Sequence, residues 1–126
     1  MPATRAGATV QGIETMFERV RQGAVDVIRG DEALVADNLP RPSQLLDACF
    51  TAGIPRVVLD LESVPLMDSK GLEWVLDTHD RLLDRGSSLR IVANQSLCRE
   101  ILQLTGVAEQ CQVYGDLTSA VASFIQ

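Results

Sequence analysis

Between positions 60 and 79 lie five carboxylates (Asp60, Glu62, Asp68, Glu73, Asp77), the hydroxyl of Ser69, the amine of Lys70 and the imidazole of His79. Paired acids in a cleft can do general acid–base work. Glu73 and Asp77, however, fall on the solvent side of a helical pattern, and Asp77 with Arg81 has the i,i+4 spacing of an ordinary helix ion pair. His79 is the only histidine; it sits on an apolar stripe with no His or Cys at ligand spacing, so it reads as a core residue. The chain has no glycine-rich phosphate loop, nucleophile elbow or H-E-x-x-H helix. These residues predict no catalytic group, no metal site and no cofactor, so the chain reads as a non-enzyme. What remains is Asp68-Ser69, two good N-cap residues in succession.

A serine there has two readings. As a plain cap it stabilises a helix by about 1 kcal/mol. As a modification site it can take a phosphate, which adds about −1.5 to −2 charges at neutral pH. A helix N-terminus tolerates that charge, with a favourable dipole term of about 0.3–1 kcal/mol. Phosphorylation would then leave the fold intact and change the surface that a partner meets. Lys70 places an ammonium beside that position. Gly71 costs about 1 kcal/mol relative to alanine inside a helix. It implies either close approach of another backbone or a partner, or a relaxed first turn. Trp74 lies off the Leu72/Val75/Leu76 stripe. It is either an interface anchor or local packing over the Met67 loop.

The elements that position these residues follow from periodicity. Arg56–Leu61 is a β-branched and aliphatic run after Ile54-Pro55, a strand signal. From Leu72 the apolar residues recur at helical spacing through Val75, Leu76, His79, Leu82 and Leu83, predicting a helix over Lys70–Asp84 that Arg85-Gly86-Ser87-Ser88 ends. Upstream, strands Met16–Arg21 and Ala24–Arg29 joined through Gln22-Gly23 read as a hairpin. Leu45, Leu46, Cys49 and Phe50 form a helical stripe starting near Pro40 or Pro42, with Gly53 as its C′ residue and Ala33–Leu39 as a loop or short turn. Downstream, Leu89–Ala93 is a strand. Asn94 or Ser96 caps a helix ended by Thr105-Gly106, Gln112–Tyr114 is a weak strand, and Asp116 caps a last helix. A hairpin followed by alternating units predicts an α/β domain: a mixed, mostly parallel sheet covered by helices.

The 126 residues suit one domain, with residues 1–14 as a flexible lead-in and 15–126 as the folded unit. A net charge of −6 argues against nucleic-acid and anionic-membrane surfaces and favours a protein partner with a basic face, or simply a solvated surface. Cys49, Cys98 and Cys111 show no ligand spacing and read as buried reduced thiols, which suits a reducing compartment. Without a signal-peptide core or a membrane-length apolar window, a cytoplasmic location is expected.

The run Leu59-Asp60-Leu61-Glu62…Leu66-Met67-Asp68-Ser69-Lys70-Gly71-Leu72 resembles the signature of STAS domains, and among them the bacterial anti-sigma factor antagonists. The likeness extends, in the spacing of strands and helices, from about Phe17 to Gln126. It implies a STAS-like single domain, here an N-terminal hairpin followed by alternating α/β units. It also implies an antagonist that docks on a kinase-type anti-sigma factor, is phosphorylated by it at Ser69, and is restored by a serine phosphatase. Asp68, Lys70, Gly71, Leu72 and Trp74 would line the partner-binding surface. The alternative within the family is a non-phosphorylated scaffold or accessory subunit of a signalling or lipid-transport complex. A weak homo-oligomer stays open. Two positions depart from the pattern: Val35 follows the Gly30…Leu34 segment where relatives carry an acid, with Asp31 or Asp37 as substitutes, and Lys70 replaces a small residue.

Overall fold

A computed structural model describes residues 17–51 and 53–125. The expected lead-in over residues 1–14 lies outside them, as does Met16. Five strands run in chain order across one sheet: β1 (Phe17–Gln22), β2 (Val25–Gly30), β3 (Val57–Asp60), β4 (Arg90–Val92) and β5 (Gln112–Tyr114). β1 pairs antiparallel with β2, and every later pair is parallel. This is the mixed, mostly parallel sheet that the sequence predicts. The hairpin turn sits one residue later than expected, on Gly23-Ala24, because Gln22 pairs with Val25 and Gly23 takes φ +63°, a left-handed backbone that glycine adopts without strain.

The two faces of the sheet are covered unequally. On one face, Ile28, Val57, Leu59 and Ile91 pack against residues of α1 (Pro40–Asp47), α2 (Ser69–Asp84), α3 (Ser96–Leu104) and the single turn α4 (Val107–Gln110). On the other, Val25, Val27, Val58 and Val92 meet α5 (Leu117–Ala122) through Ala120, Leu117 and Val121. Strand residues alternate between the layers, as the pleat requires.

α2 is long and sharply terminated. Val75, Leu82 and His79 are buried on its inner face. Its end is a Schellman motif: the Ser87 N–H donates to the Leu82 carbonyl at 2.8 Å, the Gly86 N–H donates to Leu83 at 3.0 Å, and Gly86 has φ +80°. His79 is a core residue, its Nδ1 accepting the Leu89 N–H at 3.4 Å. Arg81 does not pair with Asp77. It bridges to Asp47 at 3.1 Å and stacks over Phe50 at 4.2 Å from the ring centre.

Two further expectations are corrected. α1 ends at Asp47, so Gly53 is not its C′ residue; Cys49 and Phe50 continue inward through turns, and Arg85 donates to the Thr51 and Gly53 carbonyls at 2.7 Å. α3 is preceded by Gln95 without a side-chain cap bond; Ser96 is its first helical residue, and Asn94 instead donates to Glu62 and Gly115. α4 had no sequence signal, because one turn is too short to show a period.

Candidate functional site

The loop between β3 and α2 is built by close backbone approach. Leu34 and Met67 form an isolated parallel bridge: the Leu34 N–H donates to the Leu66 carbonyl at 2.9 Å, and the Asp68 N–H donates to the Leu34 carbonyl at 3.3 Å. Gly71 lies directly over this bridge and is buried. A Cβ built on Gly71 would land on the Leu34 carbonyl oxygen and press on Met67. The close approach is therefore made by the chain's own backbone, and the relaxed-turn alternative is unnecessary. Gly71 shapes the site from beneath.

Asp68 is the N-cap of α2. Its backbone is extended (φ −100°, ψ −173°), and Oδ1 accepts the Gly71 N–H at 2.8 Å. Its other oxygen accepts the Ala36 N–H at 3.3 Å, at the start of the 3₁₀ turn Ala36–Asn38. One carboxylate thus ties the helix start to a segment 32 residues upstream. The Gly71 N–H, with smaller help from Ala36 and Lys70, holds the Asp68 carboxyl below its ordinary value. Charge at this position also suits the helix dipole.

Ser69 is therefore the first helical residue and not the cap. It is exposed, and its hydroxyl makes no hydrogen bond among the described residues. Lys70 is exposed too, with Nζ 3.7 Å from the Glu73 carboxylate. Leu72 and Trp74 are half-buried and pack on the core cluster. Leu66, 42% exposed, adds an apolar group to the same loop that the sequence reading had not singled out. The structure thus leaves Ser69 and Lys70 exposed at the head of α2, Asp68, Leu72 and Trp74 half-buried, and Gly71 buried beneath.

Burial raises all three thiols: Cys49 and Cys111 are pushed up to about 11, with Asp26 adding to Cys49 and Asp80 to Cys111, and Cys98 is raised as well. Among the described residues no group of His, Cys, Asp or Glu is placed to hold a metal ion, and no helix is long and apolar enough to cross a membrane.

The sequence matches the STAS domain family over residues 10–120. The chain belongs to that family. Among solved structures it is similar to a putative anti-sigma factor antagonist from Thermotoga maritima, with a TM-score of 0.77 at 16% identity, covering 88% of this chain and 96% of that one. An anti-sigma factor antagonist from Mycobacterium paratuberculosis gives a TM-score of 0.74 at 23% identity, covering 87% and 93%. The Bacillus anti-sigma factor antagonist SpoIIAA, at 15% identity, gives 0.65 in its unphosphorylated form (86% and 96% covered) and 0.59 in its phosphorylated form (87% and 99%). No curated protein sequence matches the chain. At these identities the solved structures establish a shared STAS fold.

Proposed function

We propose that this STAS domain is an anti-sigma factor antagonist that binds a kinase-type anti-sigma factor and is switched by reversible phosphorylation of Ser69, with a serine phosphatase resetting it. The observation that carries the reading is the division of labour at the head of α2. Asp68 supplies the cap, and the exposed Ser69 hydroxyl is left without a structural duty. A phosphoryl group transferred there would meet a helix N-terminus, where a dianion is electrostatically favoured. It would also stand beside Asp68, with Lys70 paired to Glu73. The fold would persist, and the face offered to a partner would turn strongly anionic. Solved anti-sigma factor antagonists of the same fold, and SpoIIAA in both its unphosphorylated and phosphorylated forms, support the role. Neither an enzymatic activity nor a cofactor enters this reading.

The test is incubation with ATP and a kinase-type anti-sigma factor encoded near this chain. Label is expected on Ser69 and is abolished in Ser69→Ala, while Ser69→Glu weakens the complex. A stable complex indifferent to Ser69→Glu would favour the scaffold alternative and end the switch.

A further inference from the structure

The chain from Leu61 to Asp68 carries β3 over to Ser69, and it is gripped at both ends. Leu34 holds the far end, through the Leu66 carbonyl and the Asp68 N–H. The head of α3 holds the near end: Gln95 Nε2 donates to the Glu62 carbonyl at 2.6 Å, and Cys98 Sγ donates to the Val64 carbonyl at 3.1 Å.

Two features set these contacts apart from ordinary packing. Gln95 stands at the N-cap position of α3, yet its side chain makes no capping bond to its own helix. Asn94, a good capping residue, is likewise turned outward, to Glu62 and Gly115. Side chains placed to close the helix head are spent on the neighbouring loop instead. The acceptors at Glu62 and Val64 are also backbone carbonyls, so the bonds fix the path of the chain and not the pose of a side chain. Val64 and Cys98 have no exposed surface. A carbonyl buried there is costly to leave without a donor, which holds the loop in place.

We propose that Gln95 and Cys98 are positioning residues for the phosphoacceptor. By holding the Glu62 and Val64 carbonyls they set where the Ser69 hydroxyl stands, so phosphoryl transfer depends on the head of α3. The inference deepens the proposed switch and rests on it for the transferred group. In the step served, the Ser69 oxygen attacks the γ-phosphorus of ATP and forms the ester bond. The bond to the bridging oxygen breaks, ADP leaves, and the hydroxyl proton passes to a base of the kinase. Cys98, being wholly buried, meets no partner and acts only through the loop.

Two measurements test it, one of them without a partner. Gln95→Glu replaces the amide donor by an acceptor, Cys98→Ala removes the thiol, and Cys98→Ser keeps a donor in its place. In amide exchange of the free full chain, Gln95→Glu and Cys98→Ala are expected to speed exchange at Val64, Asp68 and Gly71 about tenfold, the scale of one net hydrogen bond. Buried Val27, Val58 and Ile91 keep their protection, and Cys98→Ser stays near the parent. With ATP and the kinase-type anti-sigma factor, kcat for labelling Ser69 falls about tenfold or more in the same two variants, KM stays within about twofold, and Cys98→Ser restores the rate. Gln95 is only half-buried, so Gln95→Glu decides the matter should Cys98→Ala fold poorly. Exchange that is unchanged at those amides, or that rises equally through the sheet, overturns the assignment. So does local loosening with an unaltered kcat. A parent chain that takes no label ends the switch and with it the dependence of transfer on α3, whereas unchanged exchange beside a labelled parent ends only the role of Gln95 and Cys98.

Discussion

Alanine at position 71 sets two physical effects against each other. In an unencumbered helix Gly→Ala stabilises by about 1 kcal/mol through propensity and unfolded-state entropy. Here the added methyl would occupy the place of the Leu34 carbonyl oxygen, and backbone cannot swing aside as a side-chain tip can. Overpacking of this kind costs about 1–3 kcal/mol. It also displaces the Leu34 carbonyl from the Asp68 N–H, 3.3 Å away, a bond worth about 0.5–1.5 kcal/mol net. After the propensity gain is deducted, Gly71→Ala is expected to destabilise the domain by about 1–3 kcal/mol. For a chain of 126 residues that lowers Tm by about 4 °C per kcal/mol. Gly115→Ala is the matched control. Nothing lies within 4 Å of its built Cβ and its φ is not left-handed, so it should be neutral or stabilise by up to about 1 kcal/mol. Urea unfolding followed by circular dichroism measures both, with the m-value checked for constancy. A Gly71→Ala protein as stable as the parent would mean that Leu34 does not pin the loop, and the account of the site would fall with it.

Three further outcomes follow from the same geometry. Ser69→Ala should change stability by less than about 0.5 kcal/mol, since its hydroxyl caps nothing, whereas Asp68→Ala should be clearly destabilising in the same urea assay. Because the folded Asp68 carboxyl titrates below its ordinary value of 3.8, its contribution is complete at neutral pH and is lost as pH falls below that value. The stability gap between the parent and Asp68→Asn should therefore shrink on the acid side, and a gap that widened there would reverse the assigned sign. The raised thiols should make Cys49, Cys98 and Cys111 slow to react with a disulfide reagent at pH 8 in the native state, and all three should react rapidly in urea; fast native labelling would contradict their burial.

The legible parts of the fold are those written locally. The change of period between Val57–Asp60 and Leu72–Leu83 marks a strand handing over to a helix, and Arg85-Gly86 marks its end, because both signals lie within a few residues of the structure they specify. Asp68 and Ser69 were equally good caps on sequence grounds. Which one bonds the Gly71 N–H depends on Ala36 approaching from far upstream, and no local pattern encodes that approach. Gly71 did carry a trace of it, as a glycine where a helix would prefer another residue. Arg81 misled for the reciprocal reason: Asp77 stands at the right spacing, but Asp47 and Phe50 are brought closer by packing of the α1 end against α2. The row Glu18, Arg29 and Asp60 was invisible in the same way, since these residues become neighbours only through strand register.

The separation of Asp68 from Ser69 has a consequence for any chemistry at the hydroxyl. Were serine the cap, a phosphate on it would alter the group that holds the Gly71 N–H, and modification would be felt as a change in helix stability. With the cap one residue earlier, the hydroxyl can be charged while the Gly71 and Ala36 bonds remain with a different side chain. The effect is then confined to the surface, where Asp68, Lys70 and Glu73 together carry one net negative charge and a phosphate would bring them to about three. A partner surface that tolerated the first state by close contact at Ser69 would be expelled from the second by bulk and repulsion together. A surface rich in arginine would instead be drawn closer. Release on phosphorylation therefore requires a tight, non-basic contact at the hydroxyl itself, whatever the charge of the wider interface.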